Sequence, residues 1–125
     1  MATTSATTEG RAEAVSWHPA ARAEFVIELY GGVTKVARAL RVSKSQPSRW
    51  RSGQEVPSLD AARRLADLDH VLTRALLLWE PAVAVTWLES PNGYLDGARP
   101  IDVLVTRGST EVIDALDAAL SGAYA

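Results

Sequence analysis

The sequence predicts an all-α protein, and three observations lead to that prediction. Apolar residues recur at helical spacing along most of the chain, whereas the alternation typical of half-buried strands is almost absent. Residues that start or stop helices, among them Pro19 and the pair Gly31-Gly32, divide the chain into segments of ordinary helix length. With 125 residues and 47% apolar content, the chain can bury one core, so a second full domain is not expected.

The first part of the chain predicts an arm followed by one helix. Residues 1–16 are rich in Ser, Thr and Ala and show no periodicity, so we expect a disordered N-terminal arm. A helix is predicted from about Pro19 to Leu29, since proline suits a first helical turn and Gly31-Gly32 is a strong stop. One apolar face of this helix is formed by Ala21, Phe25 and Leu29.

Two shorter helices are predicted next, joined by a tight connection. The second helix starts near Thr34. Its inward-facing residues are Val36, Ala37 and Leu40. The connection begins at Val42-Ser43, and Ser43 is the expected N-cap of a short third helix that ends at Gly53.

The fourth helix is the clearest element of the sequence, and Pro57-Ser58 starts it. An apolar line runs along it at helical spacing, made of Ala62, Leu65, Leu72, Leu76 and Trp79. The opposite face is polar and is made of Arg63, Asp67, His70 and Arg74. His70 is therefore expected in water rather than in a site.

The C-terminal part predicts a helix, an ordered loop and two further helices. Glu80-Pro81 begins a short helix that runs through Trp87-Leu88, and we expect Trp87 to anchor the following loop in the core. Pro91-Asn92-Gly93 is a turn signal, because Asn and Gly tolerate positive φ, and Pro100 suits the first turn of the next helix. Ser109 is the expected cap of the last helix, which Gly122 terminates. The apolar side of that helix is formed by Val112, Ile113, Leu116 and Leu120.

Charge is distributed unevenly along the chain. The net charge is −2, yet residues 31–54 hold six lysines and arginines and no acid. The residues from 55 onward are acidic. A basic block inside an acidic chain is the pattern expected when one surface meets DNA and another meets a different partner. A solvated charged face is the alternative interpretation.

Several function classes are disfavoured by what the sequence lacks. No cysteine is present, which excludes disulfides and thiolate metal sites and fits the cytoplasm. Residues 1–14 contain no signal-peptide core, and no run approaches membrane-spanning length, so no membrane partner is expected. His18 and His70 have no acid and nucleophile at a meaningful spacing. We therefore expect a binding protein without catalytic residues, metal ions or cofactors rather than an enzyme.

The basic block contains a candidate helix-turn-helix. Ala37 is small enough for a helix crossing, and the second helix of the motif is expected to direct Lys44, Ser45, Ser48 and Arg49 outward, toward DNA. The motif resembles the Xre/Cro-like helix-turn-helix family through Ser48-Arg49-Trp50, Gly53 and Pro57. Arg41 replaces the usual turn glycine, and Pro47 removes one N–H from the reading helix. A motif retained only as a dimerisation scaffold is the alternative.

The C-terminal half carries a second resemblance. It rests on Trp87-Leu88, Pro91-Asn92, Leu95, Gly97, Pro100, Leu104, Val112 and Leu116. This pattern is similar to the antitoxin domain of Xre-type antitoxins that pair with RES-domain toxins, the MbcA/ParS/Xre family. The resemblance implies an Xre-like helix-turn-helix region over residues 17–79 and a toxin-binding region over residues 80–125. It also implies a homodimer whose partners are operator DNA and a RES-domain toxin that degrades NAD.

The last four residues are the expected toxin contact. Tyr124 combines apolar area with a hydroxyl and has nothing local to pack on. It is flanked by Gly122, Ala123 and Ala125, so a projecting tail is predicted to enter the toxin's pocket. Packing of Tyr124 back on the last helix is the alternative for this residue. For the whole chain, the alternative is a stand-alone transcriptional repressor without a toxin partner.

Overall fold

The chain folds into a succession of short helices. The computed structural model describes residues 18–122, so the expected arm over residues 1–16 lies outside the described residues. In chain order the α-helices are α1 Pro19–Tyr30, α2 Val33–Leu40, α3 Gln46–Ser52, α4 Leu59–Ala75, α5 Pro81–Leu88, α6 Pro100–Arg107 and α7 Thr110–Leu120. A single 3-10 turn, Gly93–Leu95, lies between α5 and α6. No strand occurs between residues 18 and 122, and the all-α prediction is confirmed.

Local chemistry explains where the helices begin and end. Gly31 ends α1 in the left-handed region at φ 106°, and its N–H bonds to the carbonyl of Ile27. The hydroxyl of Ser58 accepts the N–H of Ala61 and so caps α4. Pro81 and Pro100 occupy the first turns of α5 and α6, where no N–H is needed.

One hydrophobic core joins the first four helices to the three C-terminal helices. It extends without interruption from α1 to α7. Helix α1 packs mainly on α3 and α4, and α4 also contacts α5, α6 and α7. The largest fully buried side chains of this core are Trp50, Tyr30, Leu40, Leu65 and Leu68. The two parts therefore gain their stability from shared burial of apolar surface.

The prediction of which face of α1 is buried was wrong. Phe25 is 37% exposed, and the buried face is formed instead by Ala23, Val26, Ile27 and Tyr30. Both sets recur at helical spacing, so the sequence pattern of the helix fits either face. The choice is made by the partners, because α3 and α4 pack against the second set.

The fourth helix is shorter than expected. It ends at Ala75, whereas the predicted apolar line continued to Trp79. Pro81 holds Glu80 in an extended conformation (φ −75°, ψ 157°), so the chain must leave the helix before this point. Leu77 and Leu78 are consequently exposed in the connecting turn.

The polar face of α4 forms contacts with the C-terminal helices. Arg63 donates to the carbonyl of Val105 at 3.0 Å and pairs with Asp67 at 2.7 Å. Arg74 makes two hydrogen bonds to the carboxylate of Asp117, at 2.8 and 3.1 Å. His70 is exposed, as expected. Among residues 18–122, no helix is both long and apolar enough to cross a lipid bilayer.

Candidate functional site

The turn between α2 and α3 has the geometry that the helix-turn-helix prediction requires. Arg41 adopts the left-handed conformation (φ 58°, ψ 47°), and its N–H bonds to the carbonyl of Arg38 at 3.3 Å. A non-glycine residue in this region costs about 1 kcal/mol or more. The guanidinium of Arg41 donates to Asp102 Oδ1 at 3.0 Å, which ties the turn to α6. The predicted turn is thus kept without glycine.

The start of α3 differs from the expectation in one detail. The predicted cap, Ser43, offers its backbone N–H to Gln46 Oε1 at 2.9 Å, and its side chain makes no capping bond. Gln46 is the first residue of α3, so its side chain closes the turn from within the helix. The N-cap of the helix is Ser45. Pro47 lies in the first turn, where its missing N–H costs nothing.

The four predicted DNA-contact residues lie on the turn before α3 and on the helix itself. Lys44 and Ser45 are exposed on the turn before the helix. Arg49 is about half exposed at 52% of its side-chain area, and Ser48 is half-buried. Trp50 lies on the inner side of the same helix and is 1% exposed. The helix therefore has an inner anchor and a polar outer side, as a reading helix needs.

An acid that the sequence reasoning missed lies beside Arg49. Glu55 Oε1 is 3.5 Å from Arg49 Nη1, and Glu55 Oε2 accepts from Gln46 Nε2 at 3.0 Å. The Gln46 bond, with smaller contributions from Arg49 and Trp50, lowers the pKa of Glu55 below its usual value. Glu55 is the first acid after the six cations, which is the sequence signal that could have found it. Part of the charge of Arg49 is neutralised within the protein.

Four other cations of the basic block are exposed and form no ion pair with an acid of the described residues. Within residues 18–122, no acid lies within 4.0 Å of Lys35, Arg38, Lys44 or Arg51. All four are exposed. The positive surface thus consists mainly of these residues, with Arg41 and Arg49 partly compensated.

The loop after α5 is held by Asn92. Its side-chain oxygen accepts the N–H of Tyr94 at 2.9 Å, and its carbonyl accepts the N–H of Gly97 at 2.8 Å. Leu95 anchors the loop in the core. The turn predicted at Pro91-Asn92-Gly93 lies later in the loop, because Asn92 is extended (φ −127°) and caps the 3-10 turn, whereas the residues with positive φ are Asp96 and Gly97.

An exposed apolar surface lies where α4 leads into α5. We call it the corner patch. Its exposed members are Leu77 at 77%, Leu78 at 69% and Val83 at 50%. Trp79 and Trp87 complete it as a half-buried pair, with ring centroids 5.9 Å apart and planes tilted by 53°. Trp87 therefore packs beside another ring at the surface, and the expectation that it lies in the core holds only in part.

The predicted tail is described only at its first residue. Gly122 is exposed with φ 79° and follows the end of α7, as expected for a terminating glycine. Ala123, Tyr124 and Ala125 lie outside the described residues. Within residues 18–122, no cluster of three or more potential ligand residues could hold a metal ion.

Comparison with known proteins identifies the family. Residues 74–122 match the antitoxin Xre/MbcA/ParS C-terminal toxin-binding domain. A probable mycobacterial cidal antitoxin of Mycobacterium tuberculosis is 34% identical over 96 residues, which span 74% of this chain and 81% of that protein. The chain belongs to the Xre/MbcA/ParS antitoxin family.

The fold of this antitoxin agrees with a solved relative. It matches a chain in the crystal structure of the M. tuberculosis MbcT–MbcA toxin–antitoxin complex with a TM-score of 0.72 and 26% identity. The match covers 85% of this chain and 96% of that one. The resemblance inferred from the sequence is thus confirmed at the level of family and fold.

Proposed function

We propose that this antitoxin binds a RES-domain toxin that degrades NAD and blocks its active site. The observation that carries the proposal is the match of residues 74–122 to a toxin-binding domain. The similarity to a chain of a solved toxin–antitoxin complex supports it. Covering the mouth of a pocket requires a rigid surface and a projecting group but no catalytic residue. The shared core that holds α4 to α7 supplies such rigidity.

The tail from Gly122 to Ala125 is the proposed plug of the toxin's pocket. Gly122 ends α7 at the surface, so the three residues that follow are connected to an exposed point of the fold. Tyr124 offers an aromatic ring and a hydroxyl to a pocket that accommodates a nucleotide. A plug that acts after docking should contribute more to inhibition than to association.

The test is NAD consumption by a RES-domain toxin that has been co-expressed with this chain and purified. Deleting Gly122 to Ala125 should restore NAD loss at matched concentrations while the two proteins still co-elute. Deleting Ala2 to Ser5 at the other end is the control and should leave inhibition unchanged. Full inhibition by the tail-deleted chain would reject the plug. Failure of the intact chain to bind and inhibit the toxin would reject the antitoxin assignment to this toxin class.

We further propose that a homodimer of this chain binds operator DNA and represses its own operon. The left-handed turn at Arg41 and the exposed Lys44 support this second activity. Two copies would place their α3 helices in successive half-sites of the operator. A stand-alone repressor without a toxin partner is the competing candidate, and toxin binding separates the two.

Promoter binding by the variant Lys44→Ala/Arg49→Ala tests the DNA activity. The double variant should bind the promoter more weakly, and the log–log slope against salt should decrease by roughly one unit for each lost phosphate contact. His70→Ala, an exposed change on α4, is the control. Unchanged affinity and slope would remove Lys44 and Arg49 from the DNA interface without affecting the toxin-binding role.

A further inference from the structure

We infer that the corner patch is the surface on which the toxin docks, next to the tail that enters its pocket. This inference rests on the proposed function and assigns it a site. The patch is defined above by Leu77, Leu78, Trp79, Val83 and Trp87. All five residues fall within residues 74–122, the range that matches the toxin-binding domain.

The patch groups several exposed apolar residues around one junction between two helices. Leu77 and Leu78 are adjacent in sequence and both are mostly exposed, and Val83 is half exposed in the first turn of α5. Residues 18–122 fold around one core, yet none of its helices covers these side chains. Contiguous exposed apolar residues on a surface commonly mark a protein-binding site.

The patch is also rigid enough to serve as an interface. The backbone N–H of Trp79 bonds to the carbonyl of Ala75 at 2.9 Å, and the ring of Trp79 packs beside the ring of Trp87. A shallow groove lies along this pair and is lined by Trp79, Ala82, Val83, Thr86, Trp87 and Ser90. Tryptophans that are fixed before binding lose little side-chain entropy, and they are enriched among residues that dominate binding energy.

The position of α7 places Gly122, the last described residue, at the same end of the molecule as the corner patch. Arg63, near the start of α4, bonds to Val105 just before the connection to α7. Arg74, near the end of α4, bonds to Asp117 near the end of α7. The two helices therefore run parallel and end together. Leu77-Leu78 follow Arg74 within a few residues of the chain, and Gly122 likewise follows Asp117 within a few residues.

This arrangement favours the toxin over other occupants. DNA is disfavoured because the available cations lie on α2, α3 and their flanks, whereas the patch is apolar and is flanked by Glu80. A toxin whose pocket receives the tail must lie against the surface from which the tail emerges. An interface of ordinary size needs about 800 Å² from each partner, and the corner patch provides an apolar centre for it beside the tail.

The experiment compares two pairs of exposed apolar residues. Leu77→Ser/Leu78→Ser removes the most exposed part of the patch, and Val56→Ser/Leu59→Ser is the matched control, with exposures of 76% and 91%. Affinity for the purified co-expressed RES-domain toxin is measured by calorimetry on the full chain. The patch variant should bind at least tenfold more weakly, while the control should bind as the parent does. Val83→Ser is a second patch variant and should weaken binding in the same direction.

Each other outcome has a distinct meaning. If the parent binds the toxin and both patch variants bind equally well, the docking assignment is wrong while the proposed function stands. If the parent itself does not bind, the proposed function fails first. If the patch variants lose self-association in light scattering but keep toxin affinity, a second copy covers the patch and the inference is overturned. Thermal unfolding should show the parent's melting temperature in all variants, because the substituted side chains are exposed.

Discussion

Replacing Trp50 by alanine should strongly destabilise the protein, although Trp50 lies in the helix predicted to read DNA. Its side chain is 1% exposed and belongs to the hydrophobic core, and α3 packs against α1. A buried tryptophan removes roughly 150–250 Å² from water, which at about 25 cal/mol per Å² amounts to roughly 4–6 kcal/mol as an upper limit. Measured losses for buried aromatic residues are about 3–5 kcal/mol.

That loss is large compared with the whole stability of such a domain, which is of order 5–15 kcal/mol. For a chain of this length each kcal/mol shifts the melting temperature by roughly 4 °C, so a decrease of about 12–20 °C is expected. Urea unfolding followed by circular dichroism checks the free energy, and scanning calorimetry checks the melting temperature. The expected slope of the urea transition is that of the parent.

Phe25→Ala is the matched control, because Phe25 is an aromatic residue on α1 but is 37% exposed. Its loss should be distinctly smaller than that of the tryptophan variant. A melting temperature for Trp50→Ala within about 2 °C of the parent would refute the reasoning, since a buried anchor of this size cannot be removed at no cost. Trp50 would then have to be exposed and free to contact a partner.

Three further predictions concern charges around the helix-turn-helix. Glu55→Gln should raise promoter affinity roughly two- to fivefold, because it releases the charge of Arg49 from a surface ion pair. A gel-shift titration at low salt checks this, and an unchanged affinity would show that Arg49 does not face DNA. Arg41→Gly should be more stable than Arg41→Ala by about 1 kcal/mol, because glycine adopts the left-handed conformation without strain while both variants lose the ion pair with Asp102. Equal urea midpoints of the two variants would contradict this. Arg99, and to a smaller extent Arg41, hold the pKa of Asp102 below its usual value. The ionised carboxylate therefore stabilises the fold at pH values above its unfolded pKa of about 3.9, and this contribution is lost as the pH falls through the lower pKa of the folded state. The stability difference between parent and Asp102→Asn should therefore be constant from neutral pH to about 5 and shrink below about 4, and a difference that is independent of pH down to 2 would refute it.

The local chemistry of the chain was sufficient to predict the class of fold and most helix boundaries. Gly31 as a stop, Ser58 as a cap and Pro100 in a first turn act through atoms within a few residues, so their effect can be read without knowing the rest of the fold. Burial of Trp50 was predictable for a related reason, because its spacing in a helix-turn-helix places it on the inner side.

The functional surfaces were only partly predictable. The residues Lys44, Ser45, Ser48 and Arg49 follow from position in a motif, and the antitoxin family follows from a pattern spread over the C-terminal half. Glu55 was missed because it lies outside the motif and reaches Arg49 only when the chain turns after α3. The corner patch was missed because Leu77 and Leu78 directly follow an apolar helix, and the sequence pattern did not show that this helix ends at Ala75.

Sequence by itself determined which segments are helical and most of the residues at which they start and stop, because these are properties of neighbouring residues. Tertiary structure decided which apolar side chains are buried. On α1 two faces were available, and packing on α3 and α4 selected the one with Val26 and left Phe25 exposed. At the end of α4 the extended residue before Pro81 turned Leu77 and Leu78 away from the core. Burial depends on contacts between distant segments, and a one-dimensional pattern gives their spacing but not their partners.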